Sequence, residues 1–177
     1  MPVLMIATYG DGDKVDVMNM AWGGICSENM IALNITESHK TVENIKKRGA
    51  FTVALADLKT MAESDFFGIV SGNDTADKFE RSGMHAAKSS HVDAPIIEEY
   101  PVTMECKVAE IGEAVSGFRV VGEIVNVTAR EEVLDEKGRI DPERMEVLAF
   151  DNFTMRYYVV NKSVGKAWNA GKDLVKK

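Results

Sequence analysis

Short apolar runs separated by turn residues predict strands along the first third of the chain. Residues 3–9 form one such run, and the Asp-Gly pair at Asp11 is a strong turn signal. A second strand resumes at Val15, and residues 30–35 form a third after a turn at residues 28–29. Strands spaced this closely favour antiparallel meanders over alternating strand–helix units.

Helical signals interrupt the strands in the middle of the chain. A helix begins within residues 38–41, and basic residues at its far end suit the negative end of the helix dipole. Two further helices are predicted at about residues 59–69 and 75–82. Asp74 is the expected N-cap of the latter, and Gly83 its C-terminal stop.

Strands dominate the second half of the chain. The strands expected after the first helix are residues 51–56, 102–108, 118–127 and 147–150. The loop with Pro95 and Pro101 carries little regular pattern, residues 141–145 predict a helix or turn, and residues 165–177 a short basic helix or frayed end.

These elements predict one domain over residues 1–177, since the chain contains neither an internal repeat nor a linker. The fold class is mainly β, an antiparallel Greek-key barrel with a few inserted α-helices. A closed barrel is the natural way to protect so many strand edges.

Composition narrows the possible partners. The net charge of −7 makes nucleic acid an unfavourable partner, and no apolar run approaches the roughly 18 residues of a membrane span. The apolar start lacks a basic flank, so it predicts a strand instead of a signal peptide. Cys26 and Cys106 are distant in sequence and are interpreted as apolar fillers in a reducing compartment, the cytoplasm, with a redox or ligand role as the alternative. The histidines show no metal-binding spacing, so no metal site is predicted.

Residues 19–27 are too rich in glycine for an ordinary central strand. Glycines inside a strand pattern indicate a bulge or the close approach of a ligand to the backbone. Trp22 precedes Gly23 and Gly24, which leaves space around its indole ring. The alternative is a core tryptophan beside a bulge.

Two further stretches place polar donors where the chain enters a helix. Residues 36–41 end a strand and begin a helix, so backbone N–H groups there suit an anion, and the alternative is a simple serine N-cap. Residues 71–79 lead through a Ser-Gly turn to Lys78, whose ammonium can reach a phosphate. The alternative is a helix cap with a surface lysine. No Walker or GxGxxG motif is present.

Taken together, the three stretches resemble the flavin reductase-like family of FMN-binding split barrels, which includes the flavoredoxins. The resemblance covers nearly the whole chain and rests on residues 19–24, 38–45, 51–53, 71–72, 77–79, 94–97, 105–106, 122–124 and 157–158.

The resemblance implies a homodimer with FMN in a groove near the subunit interface. By that resemblance the isoalloxazine ring would be lined by Asn19, Met20, Ala21 and Trp22. The phosphate would be held by Ser38, Lys40 and Thr41, with the site completed by Ser71, Gly72 and Lys78. Asn152 and Phe153 follow the strand at 147–150 and are further candidates, with a surface loop or core packing as the alternative.

The leading functional hypothesis is an oxidoreductase that passes electrons from NADH or NADPH through bound FMN to an acceptor. No Ser/His/Asp set or carboxylate pair suggests hydrolysis. The first alternative is an FMN electron carrier that serves protein partners without oxidising NAD(P)H itself. The second is a flavin-binding or flavin-storing module without turnover.

Overall fold

The computed structural model describes residues 1–115 and 117–175, which contain eleven β-strands and four α-helices. The strands are β1 (Leu4–Tyr9), β2 (Val15–Met20), β3 (Gly23–Ser27), β4 (Met30–Ile35), β5 (Ala50–Leu55), β6 (Ala86–Lys88), β7 (Pro95–Ile97), β8 (Val102–Ala114), β9 (Gly117–Ala129), β10 (Val147–Asp151) and β11 (Arg156–Val160). The helices are α1 (Lys40–Arg48), α2 (Met61–Ile69), α3 (Lys78–Ser82) and α4 (Pro142–Met145).

Seven strands form one antiparallel sheet in the order β2-β1-β5-β8-β9-β4-β3. Strand β5 joins the N-terminal strand β1 to β8, and β9 returns to pair with β4, so the sheet curls into a half-barrel. Two small sheets, β6-β7 and β10-β11, flank it. The predicted fold class, a mainly β antiparallel barrel with inserted helices, is confirmed.

Strand β1 is buried on both faces, which explains its uninterrupted apolar run. Leu4 and Ile6 pack into one hydrophobic cluster with β4, α1 and β5. Met5 and Ala7 point the other way, into a second cluster that includes Phe67 of α2. Because successive side chains of a strand face opposite sides of its sheet, this strand joins two cores.

The structure differs from the sequence prediction in three local features. The loop with Pro95 contains the β6-β7 hairpin, whose three-residue strands are too short to show an alternating pattern. Strand β11 was not predicted. Helix α3 begins at Lys78 and not at residue 75, because the backbone N–H groups of Asp74 and Thr75 both donate to the carbonyl of Ser71 in a preceding turn.

The segment after β11 has little regular structure. Its described part contains one short 3-10 turn, Lys172–Leu174, and its side chains are exposed. The predicted basic helix is therefore reduced to a single turn, and residues 176–177 of that prediction lie outside the described residues. Among the described residues, no helix is both long and apolar enough to cross a membrane.

Candidate functional site

A groove runs between the end of β2, the start of α1 and helix α2. Its first part, here called the apolar lobe, has a volume of about 420 Å³, and its apolar lining includes Met18, Met20, Ala21, Trp22, Ile69 and Phe150. Its second part, here called the charged lobe, has a volume of about 290 Å³. The two lobes share Asn19, His39 and Gly68, so they form one continuous cleft.

A hydrogen-bond network fixes one wall of the apolar lobe. The Asn19 amide Nδ2 donates to the Ser64 carbonyl of α2 at 2.8 Å and to the Tyr157 hydroxyl at 3.4 Å. The Tyr157 hydroxyl donates to Asp65 Oδ1 at 2.9 Å. Burial and the bond to this carboxylate raise the pKa of Tyr157, so the phenol stays protonated at neutral pH.

Strand packing explains the first glycine after Trp22. A Cβ at Gly23 would lie 2.9 Å from the Ala32 carbonyl oxygen of β4, so this position accepts only glycine. The predicted irregularity is present as a register shift between Ile25 and Ser27. The close backbone approach at Gly23 is therefore made by the protein itself, while Trp22, 53% exposed, lines the apolar lobe.

The charged lobe brings together all six residues that were predicted from the two helix-entry stretches. They are Ser38, Lys40, Thr41, Ser71, Gly72 and Lys78. Two hydrogen bonds hold the stretches in place: Asn73 Nδ2 donates to the Ser38 carbonyl at 2.7 Å, and Asn73 N donates to Ser71 Oγ at 3.2 Å. Residues 35 positions apart in sequence thus form one wall.

Lys78 is buried, with only 5% of its surface exposed. Desolvation lowers its pKa, and the negative charge of Asp16 opposes that shift. Within the described residues, its ammonium has no hydrogen-bond partner and no carboxylate within 4.0 Å, although it lies 5.7 Å from the Phe67 ring centroid. The surface-lysine alternative is wrong, because this cation is held inside the charged lobe.

Lys40 begins helix α1 and is already paired. Its ammonium donates to Glu43 at 2.8 Å, and this hydrogen bond raises the pKa of Lys40. His39 occupies the N-cap position with extended backbone and without a side-chain cap bond, so the serine N-cap alternative is also wrong. The first N–H groups of the nine-residue helix therefore lack a side-chain cap, and Lys40 and Thr41 of this first turn line the charged lobe.

Thr41 occupies its predicted place, but its hydroxyl is committed elsewhere. Thr41 is 1% exposed, and Oγ1 donates to Asp16 Oδ2 at 3.2 Å. The hydroxyl therefore acts on Asp16, which leaves the backbone N–H as the group that Thr41 can offer to a ligand. The sequence analysis missed Asp16, whose signal is a lone carboxylate between the apolar residues Val15 and Val17 of β2.

Asn152 and Phe153, the two candidate site residues after β10, lie in different surroundings. Asn152 lines the apolar lobe. Phe153 does not line either lobe and is 98% exposed, because its backbone N–H caps Asp151 in the turn between β10 and β11 and its ring points outward. In the single chain, Phe153 therefore lies in a surface loop, as the alternative predicted. Tyr157 and Met155 of the same hairpin line the lobe and were not predicted as site residues.

The arrangement suits a ligand with a flat apolar body and an anionic end. Methionines and aromatic side chains line the apolar lobe, and an uncommitted cation and a helix N-terminus lie at the other end of the groove. Among the described residues, no group of three histidine, cysteine or acidic side chains could hold a metal ion.

Known proteins provide independent comparisons. The model of the flavin reductase like domain matches residues 1–156. Flavoredoxin of Desulfovibrio vulgaris (Miyazaki F) is 31% identical, with a TM-score of 0.90 over 96% of this chain and 92% of its own. Flavoredoxin from Methanosarcina acetivorans is 26% identical, with a TM-score of 0.89 over 98% of this chain and 92% of its own.

More distant similarity supports the fold alone. An FMN-binding domain of a flavin reductases-like enzyme from Shewanella baltica OS155 is 17% identical, with a TM-score of 0.79 over 93% of this chain and 88% of its own. Among curated proteins, none matches the chain. The domain match and the 31% identity to a flavoredoxin nevertheless span most of the sequence. The chain therefore belongs to the flavin reductase-like domain family and has the split-barrel fold.

Proposed function

We propose that the groove binds FMN, with the isoalloxazine ring in the apolar lobe and the phosphate in the charged lobe. The observation that carries this proposal is Lys78, a buried residue lining the charged lobe whose ammonium has no hydrogen-bond or ion-pair partner among the described residues. A buried cation is costly unless a negative charge compensates it, and a phosphate ester supplies that charge.

The apolar lobe fits a flavin ring by size and chemistry. Its volume of about 420 Å³ lies in the range of small-molecule sites, and Trp22, Met20 and Phe150 offer apolar contact area. Among the described residues the Asn19 amide oxygen accepts no hydrogen bond, so it offers an acceptor at one edge for the N–H group of the pyrimidine part of the ring.

We propose that the protein is an oxidoreductase that passes electrons from a reduced nicotinamide to an acceptor. Bound FMN would supply the redox chemistry, accepting a hydride and passing electrons on. The side chains around the groove would orient the two rings and exclude water between them, so the reaction requires no dedicated acid or base from the protein. Ser71 and the N-terminus of α1 would hold the phosphate and thereby fix the position of the ring along the groove.

A spectroscopic titration tests this proposal. Purified protein loaded with FMN is mixed anaerobically with NADH or with NADPH, and bleaching of the flavin absorbance is followed. We expect at least one of the two to reduce the bound flavin much faster than it reduces free FMN. Bound FMN that remains oxidised with both nucleotides would refute NAD(P)H oxidation.

The second candidate function is an electron carrier that serves protein partners. It is favoured by two solved structures that are 31% and 26% identical to this chain and are flavoredoxins. The same titration separates the candidates, because a carrier would hold FMN, resist reduction by NADH and NADPH, and accept electrons from a reduced ferredoxin-type protein.

We further propose that two copies form a homodimer in the cytoplasm with the flavin near their interface. Trp22 and Ile25 beside the groove, and Phe153 and Met155 in the β10-β11 turn, are exposed apolar side chains that a second copy could cover. The two free cysteines are compatible with a reducing compartment. Sedimentation equilibrium of the FMN-loaded protein tests the dimer, and a stable monomer would refute it.

A further inference from the structure

The charged lobe contains a buried carboxylate, which is unexpected in a site for a phosphate. Asp16 is only 9% exposed and lines the same cavity as Lys78 and Gly72. Its two oxygens face different neighbours. Oδ2 accepts the Thr41 hydroxyl, while Oδ1 lies against the backbone of Gly72.

Asp16 offsets part of the positive charge of the lobe before any ligand binds. Lys40 donates to Glu43 at 2.8 Å, and the charge of Lys78 is opposed by that of Asp16, which also acts on Lys40. A phosphate that entered the lobe would gain the attraction of Lys78 and meet the repulsion of Asp16. Because both residues are largely buried, solvent screens these interactions less than it would at the protein surface.

The negative charge of Asp16 is not needed to hold Thr41 or Lys78 in place. No ion pair within 4.0 Å joins Asp16 to Lys78 in the described part of the chain, and the lysine lies beside the Phe67 ring. Thr41 is fixed by its position in the first turn of α1. Asparagine has the same shape without the charge, and its side-chain carbonyl can accept the Thr41 hydroxyl as the carboxylate does.

We propose that Asp16 is the residue that sets the affinity of the groove for the flavin phosphate. Its carboxylate repels the phosphate ester and keeps FMN exchangeable with the free flavin pool. This inference rests on the proposed function, since it takes the charged lobe as the phosphate end. The effect of Asp16 should depend on the phosphate, so Asp16 should weaken the binding of FMN and leave the binding of a flavin without a phosphate unchanged.

The test compares FMN and riboflavin binding by calorimetry in wild-type protein, Asp16→Asn and the control Asp74→Asn. Asp74 is an exposed carboxylate at the same lobe, so its charge is screened by water. We expect Asp16→Asn to bind FMN at least about tenfold more tightly, a change of about 1.4 kcal/mol, with slower release. Riboflavin affinity should stay within about twofold of wild type, a small change on the same scale. Asp74→Asn should change FMN affinity by less than about threefold, as expected for an exposed charge.

A second neutral variant, Asp16→Ser, protects the test against a folding defect in Asp16→Asn, and thermal melts verify that each variant is folded. Unchanged or weaker FMN binding in the folded neutral variants would overturn the role of Asp16 and leave the flavin site intact. Wild-type protein that binds neither flavin would refute both the proposed function and this inference.

Discussion

The carboxylate of Asp16 lies directly over the backbone of Gly72. A Cβ atom at residue 72 would come within 2.5 Å of Asp16 Oδ1 and within 3.2 Å of its Cγ, closer than real Cβ contacts. A side chain at residue 72 would therefore force Asp16 to move, so the absence of one permits this close approach of β2 and the loop before α3.

The first prediction follows from that contact. Gly72→Ala should destabilise the protein by about 1–3 kcal/mol, the cost of overpacking, because the buried Asp16 must move to admit a methyl group. Urea unfolding measures the change. Gly24→Ala is the matched control, since a Cβ at Gly24 would meet nothing within 4 Å.

A double variant shows whether the clash is the cause. Adding Asp16→Ser to Gly72→Ala removes the clashing oxygen, so it should recover most of the lost free energy of unfolding. Equal destabilisation in the Gly72→Ala and Gly24→Ala variants would show that the close contact is absent in solution.

The second prediction concerns pH. Burial lowers the pKa of Lys78 below the ordinary lysine value of 10.5, so its ammonium loses its proton earlier than exposed lysines as the pH rises. Lys40, whose pKa is raised by Glu43, stays charged through that range. The flavin phosphate, with a second pKa near about 6, is already doubly charged.

The ratio of FMN affinity to riboflavin affinity should therefore have its highest value at neutral pH and should fall between neutral pH and pH 10.5. Fluorescence titrations at a series of pH values measure this ratio, and use of the ratio cancels any ionisation of the flavin ring. The Lys78→Met variant should show no such decline. A decline of equal size in that variant would assign the pH dependence to another group.

The third prediction places the ring by tryptophan fluorescence. The chain has two tryptophans, Trp22 in the apolar lobe and Trp168, which is 97% exposed outside the groove. Flavin bound in the apolar lobe should quench Trp22 strongly. Addition of riboflavin should therefore quench wild-type protein and Trp168→Phe, and should quench Trp22→Phe much less.

Riboflavin is the appropriate probe because it reports the ring position independently of the phosphate. Strong quenching in Trp22→Phe together with its loss in Trp168→Phe would place the ring near the C-terminal segment instead. Calorimetry on the same variants verifies that each still binds the flavin.

The core of the fold could be predicted because its signals are local. The apolar run of β1 and the turn at residues 10–13 are read from adjacent residues, and the helix ending at Gly49 has a left-handed glycine as its C-cap. The β6-β7 hairpin was missed because its three-residue strands are too short to show an alternating pattern, and the start of α3 was placed too early because a turn closed on the Ser71 carbonyl precedes the helix.

The candidate site shows the same division. Six residues of the charged lobe were found because they lie in the two helix-entry stretches, where the chemistry of anion binding is recognisable in sequence. Asp16, Asp65 and Tyr157 were missed because their importance arises from partners 25 or more residues away, such as Thr41 for Asp16 and Asp65 for Tyr157. The commitment of the Thr41 hydroxyl to Asp16 could be seen only after folding placed them together.

The most direct test of the central claim is the affinity of FMN relative to riboflavin in Lys78→Met. We expect wild-type protein to bind one FMN per chain, and Lys78→Met to lose roughly ten- to a hundredfold in FMN affinity, as for a lost charge-assisted hydrogen bond. Riboflavin affinity should not change in that variant. Lys59→Met, which removes an exposed lysine outside the groove, is the control and should bind both ligands like wild type. FMN affinity that is equal in wild type, Lys78→Met and Lys59→Met would contradict the assignment of the charged lobe as the phosphate site.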